Sequence, residues 1–197
     1  MRHTLKLVSA ALCALSITTA HSQNALTKSP ASSQSPNGMS FHYDAQHDQV
    51  IASGLQLKPA AIGAASITPI TGTLVVTINI TALSHFHHGT TYHCSLTAIG
   101  GELDTTNGVV SGGVETATGM ARWNGTNTLA CTLTIPYEWT LVTDPSATKG
   151  ALLAFGVSAV APPSDGGIIQ RSTLQVDGIE PLPASGSTST FAFNVTL

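Results

Sequence analysis

The chain has 197 residues, of which 42% are apolar and only 9% charged, with a formal net charge of −3 at pH 7. So few charges, with a slight acidic excess, argue against nucleic acid and against anionic membrane surfaces as partners. The length suits one domain with a sizeable core.

The chain begins with the basic residues Arg2, His3 and Lys6, and Leu7 to Ala20 is an apolar run broken only by Ser and Thr. That run is too short to span a bilayer comfortably and ends in small residues, the pattern of a secretory signal peptide. We expect residues 1–22 to be a leader, cleaved after Ala20 or Ser22, and Cys13 to leave with it. No second long apolar run follows, so the mature chain is expected to carry no transmembrane segment and to reside in the periplasm or outside the cell. Without Arg2 and Lys6, five basic residues remain against ten acidic ones. Residues 23–40 are rich in Ser, Pro, Gln and Asn, which bury too little apolar surface to offset ordering entropy, and read as a flexible linker. The domain is expected to span 41–197.

Strand signals follow in order. Phe41 to Asp48 places Phe41 and Tyr43 on one face, and Val50 to Lys58 alternates imperfectly. An Ala-rich stretch at Pro59–Ala65 could form a short helix, since Pro is tolerated in a first helical turn. In TLVVTINITAL, Leu74, Val76, Ile78 and Ile80 share a face; in TYHCSLTA, Tyr92, Cys94, Leu96 and Ala98 oppose His93, Ser95 and Thr97. Such period-two alternation of Val, Ile and Thr marks half-buried strands. The glycine pairs Gly100-Gly101 and Gly112-Gly113, and Asn107-Gly108, read as breaks. Val114 to Trp123 predicts a strand, Asn124-Gly125 a tight turn, and Thr128 to Ile135 a strand stopped by Pro136. Tyr137 and Trp139 are expected at one end of the core. Ala151 to Val160 is apolar enough for a central strand. Ile168 to Val176 and Thr188 to Leu197 complete the set. Seven to nine short strands with no helical pattern predict an all-β, antiparallel sandwich or barrel.

Cys94 and Cys131 both fall on the apolar faces of their strands. Two inward thiols can meet across a core, and export leaves them an even pair in an oxidising compartment. A Cys94–Cys131 disulfide is therefore expected, contributing roughly 3–4 kcal/mol through loop closure. A Cys-bearing strand, a Trp and a second Cys-bearing strand in an exported all-β domain resemble the immunoglobulin-like sandwich. Trp123 comes later than that pattern places it, and Leu129 stands where the pattern has Tyr, so the resemblance implies an Ig-like architecture and no particular family.

For chemistry, the densest signal is SHFHHGTTYHC. His85, His87, His88 and His93 lie within nine residues, and converging imidazoles could bind Zn or Cu, although the spacing matches no established ligand set. A second group, His42, Asp44, His47 and Asp48, fits a solvated strand start better than a site. There is no G-x-S-x-G nucleophile motif and no phosphate-cradling glycine loop before a helix, so no catalytic residue and no cofactor-binding residue is assigned. The sequence favours a non-enzymatic interaction or structural module, with the loops His85–Thr90 and Ala161–Gly167 as the first places for a protein or cell-surface partner. The alternative is a metal-binding protein using the His85–His93 loop.

Overall fold

The computed structural model describes residues 32–34, 39–54, 56–57, 67–83, 86, 88–104, 109–142, 148–182 and 184–197. The expected leader, the possible helix at Pro59–Ala65, His85 and His87 lie outside them. Twelve strands and one short turn of 3₁₀ helix follow in order. They are β1 (Ser32–Gln34), β2 (Ser40–Asp44), β3 (Gln49–Ser53), β4 (Gln56–Leu57), β5 (Ile67–Thr81), β6 (Thr91–Asp104), β7 (Val109–Met120), β8 (Arg122–Trp123), β9 (Thr128–Val142), β10 (Thr148–Val160), the 3₁₀ turn Pro163–Asp165, β11 (Ile169–Glu180) and β12 (Ser187–Thr196). Two pieces of the stretch expected to be a linker belong to the fold: β1 pairs with β2, and Met39 is buried.

A five-stranded sheet, β11-β10-β6-β7-β4, packs on a four-stranded sheet, β12-β5-β9-β8, as a β-sandwich, though not the wholly antiparallel one expected: β12 runs parallel to β5 and β4 to β7. Leu74, Val76, Ile78 and Ile80 of β5 and Leu129, Cys131, Leu133 and Ile135 of β9 meet Tyr92, Cys94, Leu96 and Ala98 of β6 and Leu153, Phe155 and Val157 of β10. The alternating faces expected from the sequence are thus the core faces. A third layer, the sheet β1-β2-β3, covers the other face of β6 and β10, where Met39, Phe41, Tyr43 and Val50 bury Ile99, Leu152 and Ala154. β10 is covered on both sides, and its continuous run of buried residues from Gly150 to Ala159 follows from that. β6 shares the position. Ser95 and Thr97, polar by alternation, do not face water: Ser95 Oγ accepts from Val50 N–H (3.2 Å) and Thr97 Oγ1 donates to the Val50 carbonyl (2.7 Å). Buried hydroxyls placed there satisfy backbone groups that would otherwise be orphaned.

Four expectations are corrected. First, Cys94 and Cys131 face each other from β6 and β9, as their alternation implied, but they are free cysteines and not a disulfide. The thiols are hydrogen-bonded partners, and that contact, with burial, pushes the Cys94 thiol up.

Second, Gly100-Gly101 and Gly112-Gly113 are not breaks. They lie inside β6 and β7, paired directly across the ladder. The indole of Trp139 lies against Gly100 and Gly113, in space that a Cβ would occupy. Third, Pro136 does not stop β9, which runs fifteen residues. Beyond β8 that side of β9 has no strand neighbour among the described residues, so the missing N–H costs no ladder bond. Pro69 is excused likewise, since the pairing of β5 with β12 begins at Gly72. Fourth, the strand expected from Val114 to Trp123 is cut at Ala121. Its N–H bonds to the Tyr92 carbonyl (2.9 Å), and β8 then joins the opposite sheet. A turn does follow, but it is wider than the tight Asn124-Gly125 turn expected: Asn124 N–H bonds to the Thr128 carbonyl (3.1 Å), and neither Asn124 nor Gly125 takes a positive φ.

Candidate functional site

Two places in the molecule gather polar or exposed apolar side chains. One lies beneath the turn of the β2–β3 hairpin. Phe41 and Tyr43 alternate inward, and Asp44 Oδ1 accepts from the N–H groups of Gln46 (3.0 Å) and His47 (3.3 Å), which fixes the turn. His47 Nδ1 closes on Asp44 Oδ2 at 2.6 Å, and this contact holds the Asp44 carboxyl below its usual range. Asp48 adopts φ 53°, a left-handed conformation that Asp tolerates. That turn aims its carboxylate at the sheet. Oδ1 accepts from the Tyr43 hydroxyl (2.8 Å), Oδ2 lies 3.9 Å from His93 Nδ1, and the Tyr43 hydroxyl is hydrogen-bonded to Ser158 Oγ (3.2 Å). His93 Nε2 is 3.1 Å from Thr91 Oγ1.

Asp, His, Ser and Tyr in one cluster would suit nucleophilic chemistry only with access. Ser158 is fully buried beneath the hairpin. Burial above all keeps Tyr43 protonated and raises the Asp48 carboxyl, against the opposing effects of the Tyr43 bond and His93. The cluster clamps the hairpin to β6 and β10; Ser158 and Tyr43 are shut away from solvent, and Asp48 and His93 are part-exposed. Gly156 belongs to it, since the Tyr43 ring fills the space where a Cβ would project.

The second place is the pole of the sandwich at the start of β6. The described part of the histidine loop, Phe86 and His88–Thr90, meets the 161–168 loop there: a Cβ on Gly89 would lie 3.6 Å from Pro162, and Gln170 Nε2 donates to Thr90 Oγ1 (2.8 Å). Ala82 N–H bonds to the Asn127 carbonyl (3.0 Å), which ties in the β8–β9 turn. Between these segments opens a cleft of about 500 Å³, lined by Leu83, Phe86, His88, Tyr92, Trp123 and Asn127 among others. Tyr92 anchors the aromatic wall, with Phe86 edge-on at 5.9 Å and Trp123 edge-on at 5.7 Å. Edge-to-face contacts on both sides of a buried ring fix the two outer rings in place.

Among the described residues, no three His, Cys, Asp or Glu side chains are arranged to hold a metal ion. Of the four histidines expected as ligands, His85 and His87 lie outside the described residues. His88 is exposed and lines the cleft, whereas His93 alternates with Tyr92 and points to the opposite face of β6. His42, Asp44, His47 and Asp48 are not brought to one point either: Asp44 and His47 pair at the surface and Asp48 turns inward. Sequence reasoning missed the Tyr43–Asp48–Ser158 link, whose members lie up to 115 residues apart. It missed Trp123 as a contact group too, although an aromatic residue beside an Asn-Gly turn is the available signal. Comparison with protein-family models, with curated proteins and with solved structures yields no match.

Proposed function

We propose that this chain is a non-enzymatic interaction module of the periplasm or cell exterior, which contacts its partner with the loops at one end of an Ig-like sandwich. One observation carries the reading. Five large hydrophobic side chains are exposed among the described residues, and four gather at the cleft pole: Met120 (57%), Trp123 (56%), Ile168 (62%) and Ile169 (39%). Single exposed hydrophobics need no explanation, but several at one end of a sandwich, with Trp123 in the wall of an aromatic cleft and Met120 and Ile169 on the neighbouring outer face of the sheet, support a contact surface. Among the described residues the cleft lining holds no carboxylate and no Lys or Arg, which favours an uncharged partner group, an apolar or aromatic side chain presented by a protein.

The test uses the mature chain immobilised beside its Trp123→Ala and Ile168→Ser variants, each checked for an unchanged far-UV spectrum. All three are exposed to an envelope extract from the source organism. A protein retained by the parent chain and lost from both variants supports the reading. The same proteins retained by all three would overturn it.

A further inference from the structure

The sheet edges of this molecule are not equally guarded. β11 carries Arg171, Asp177 and Glu180 and two register irregularities against β10. The side of β9 beyond β8 presents Pro136 and Glu138, both exposed. β7 carries Glu115 and is capped at one end by β4. Charges, prolines and bulges are the devices that keep edges from pairing with another chain. β12 has none of them. Its ten residues, STSTFAFNVT, include no charge and no Pro, and its register with β5 is unbroken from Ser187 to Thr196. Among the described residues no strand lies on its other side. Phe191 and Phe193 point to the core, Phe193 stacking on Phe155 at 4.8 Å, yet both stay half-exposed because the sheet ends beside them.

We infer that β12 is a self-association edge: it pairs antiparallel with β12 of a second copy about a two-fold axis, joining two four-stranded sheets into one of eight. The two-fold axis selects the occupant. An isologous antiparallel pair sets β12 against β12, so a strand charged with one sign would meet that sign again in its copy, and like charges facing each other destabilise a ladder. β12 meets its copy without that penalty. Its outward face, Thr188, Thr190, Ala192, Asn194 and Thr196, offers Thr-rich cross-strand contacts, and the added strand covers Phe191 and Phe193. This inference does not depend on the cleft pole, which lies on other segments.

Sedimentation velocity of the mature chain, from roughly 1 to roughly 500 µM, reads the association directly. The expected result is a mass rising from one chain to two, with Thr190→Lys/Ala192→Lys staying monomeric and keeping the parent far-UV spectrum. Thr190→Cys/Ala192→Cys, under mild oxidation, is expected to cross-link between copies, since an axis at Thr190, Phe191 or Ala192 sets these outward positions opposite each other or themselves, and this gives a readout should the lysine variant misfold. Trp123→Ala is expected to dimerise like the parent. A parent chain monomeric throughout would overturn the inference. So would a lysine variant that dimerises as the parent does, a Thr190→Cys/Ala192→Cys variant that forms no cross-link, or loss of the dimer on Trp123→Ala.

Discussion

Asp48 and Asp44 stand four residues apart in one turn and respond to pH in opposite senses. Burial raises the folded-state pKa of Asp48, so the folded chain holds that proton at pH values where the unfolded chain has lost it. Its contribution to stability is therefore greatest below the unfolded pKa and declines as pH rises through the folded one. Asp44 is lowered by His47, so its smaller, solvent-screened contribution is present above the unfolded pKa and is lost as pH falls through the folded one. Asp48→Asn keeps an acceptor for the Tyr43 hydroxyl, tolerates the left-handed backbone and removes the buried charge. At pH 7 it is expected to raise Tm by roughly 1–3 °C, an advantage that fades as pH falls toward about 4, where the wild-type carboxyl is itself protonated. Calorimetry across that range checks it; an Asn variant less stable at pH 7 would show that the carboxylate stabilises the clamp. None of this was legible in sequence. The string HYDAQHD shows acids and histidines at close spacing, but which acid turns inward depends on one backbone dihedral and on a serine far along the chain.

At the scale of elements, glycine marks where the sequence was most misleading. Gly-Gly reads locally as a turn because glycine is the residue that turns demand. Here the demand is steric: Gly113 leaves room for Trp139, and an added Cβ would sit 2.5 Å from its Cδ1. Gly113→Ala is expected to destabilise the fold by about 1–3 kcal/mol in chemical denaturation, through overpacking. Gly156 serves the hairpin in the same way. Gly156→Ala is expected to cost about 1–3 kcal/mol in the parent chain and clearly less in a Tyr43→Ala background, because the ring it displaces is gone. Equal costs in both backgrounds would mean that Gly156 has some other purpose. By contrast, β5, β6, β9, β10 and β12 were legible, since their alternation or continuous apolarity records burial directly. What alternation could not show is that the polar face of β6 lies beneath a third layer, because Ser95 and Thr97 look the same whether they bond to water or to Val50.

For the whole molecule, the sandwich followed from the spacing of strands, but the covalent link across it did not. Inward-facing cysteines on β6 and β9 establish that two sulfurs meet; whether they bond depends on how far the packed sheets hold them apart. The structure holds them as two buried thiols in contact, with Cys94 fully inaccessible and its thiol pushed up by its neighbour and by burial. Both sulfurs are buried out of a reagent's reach, so both should be silent in the native state and report on its opening. Residues 23–197, purified without reductant, are expected to show no fast-reacting thiol when folded and two per chain once unfolded in denaturant. Its native-state labelling should accelerate with denaturant in step with loss of the far-UV signal. Both sulfurs lie in the layer shared by the two sheets, so separating the sheets is what exposes them. Two thiols labelled rapidly in the folded chain would mean that the sandwich opens locally around Cys94. No thiol at all after unfolding would mean that the sheets draw closer than described and the bond has formed.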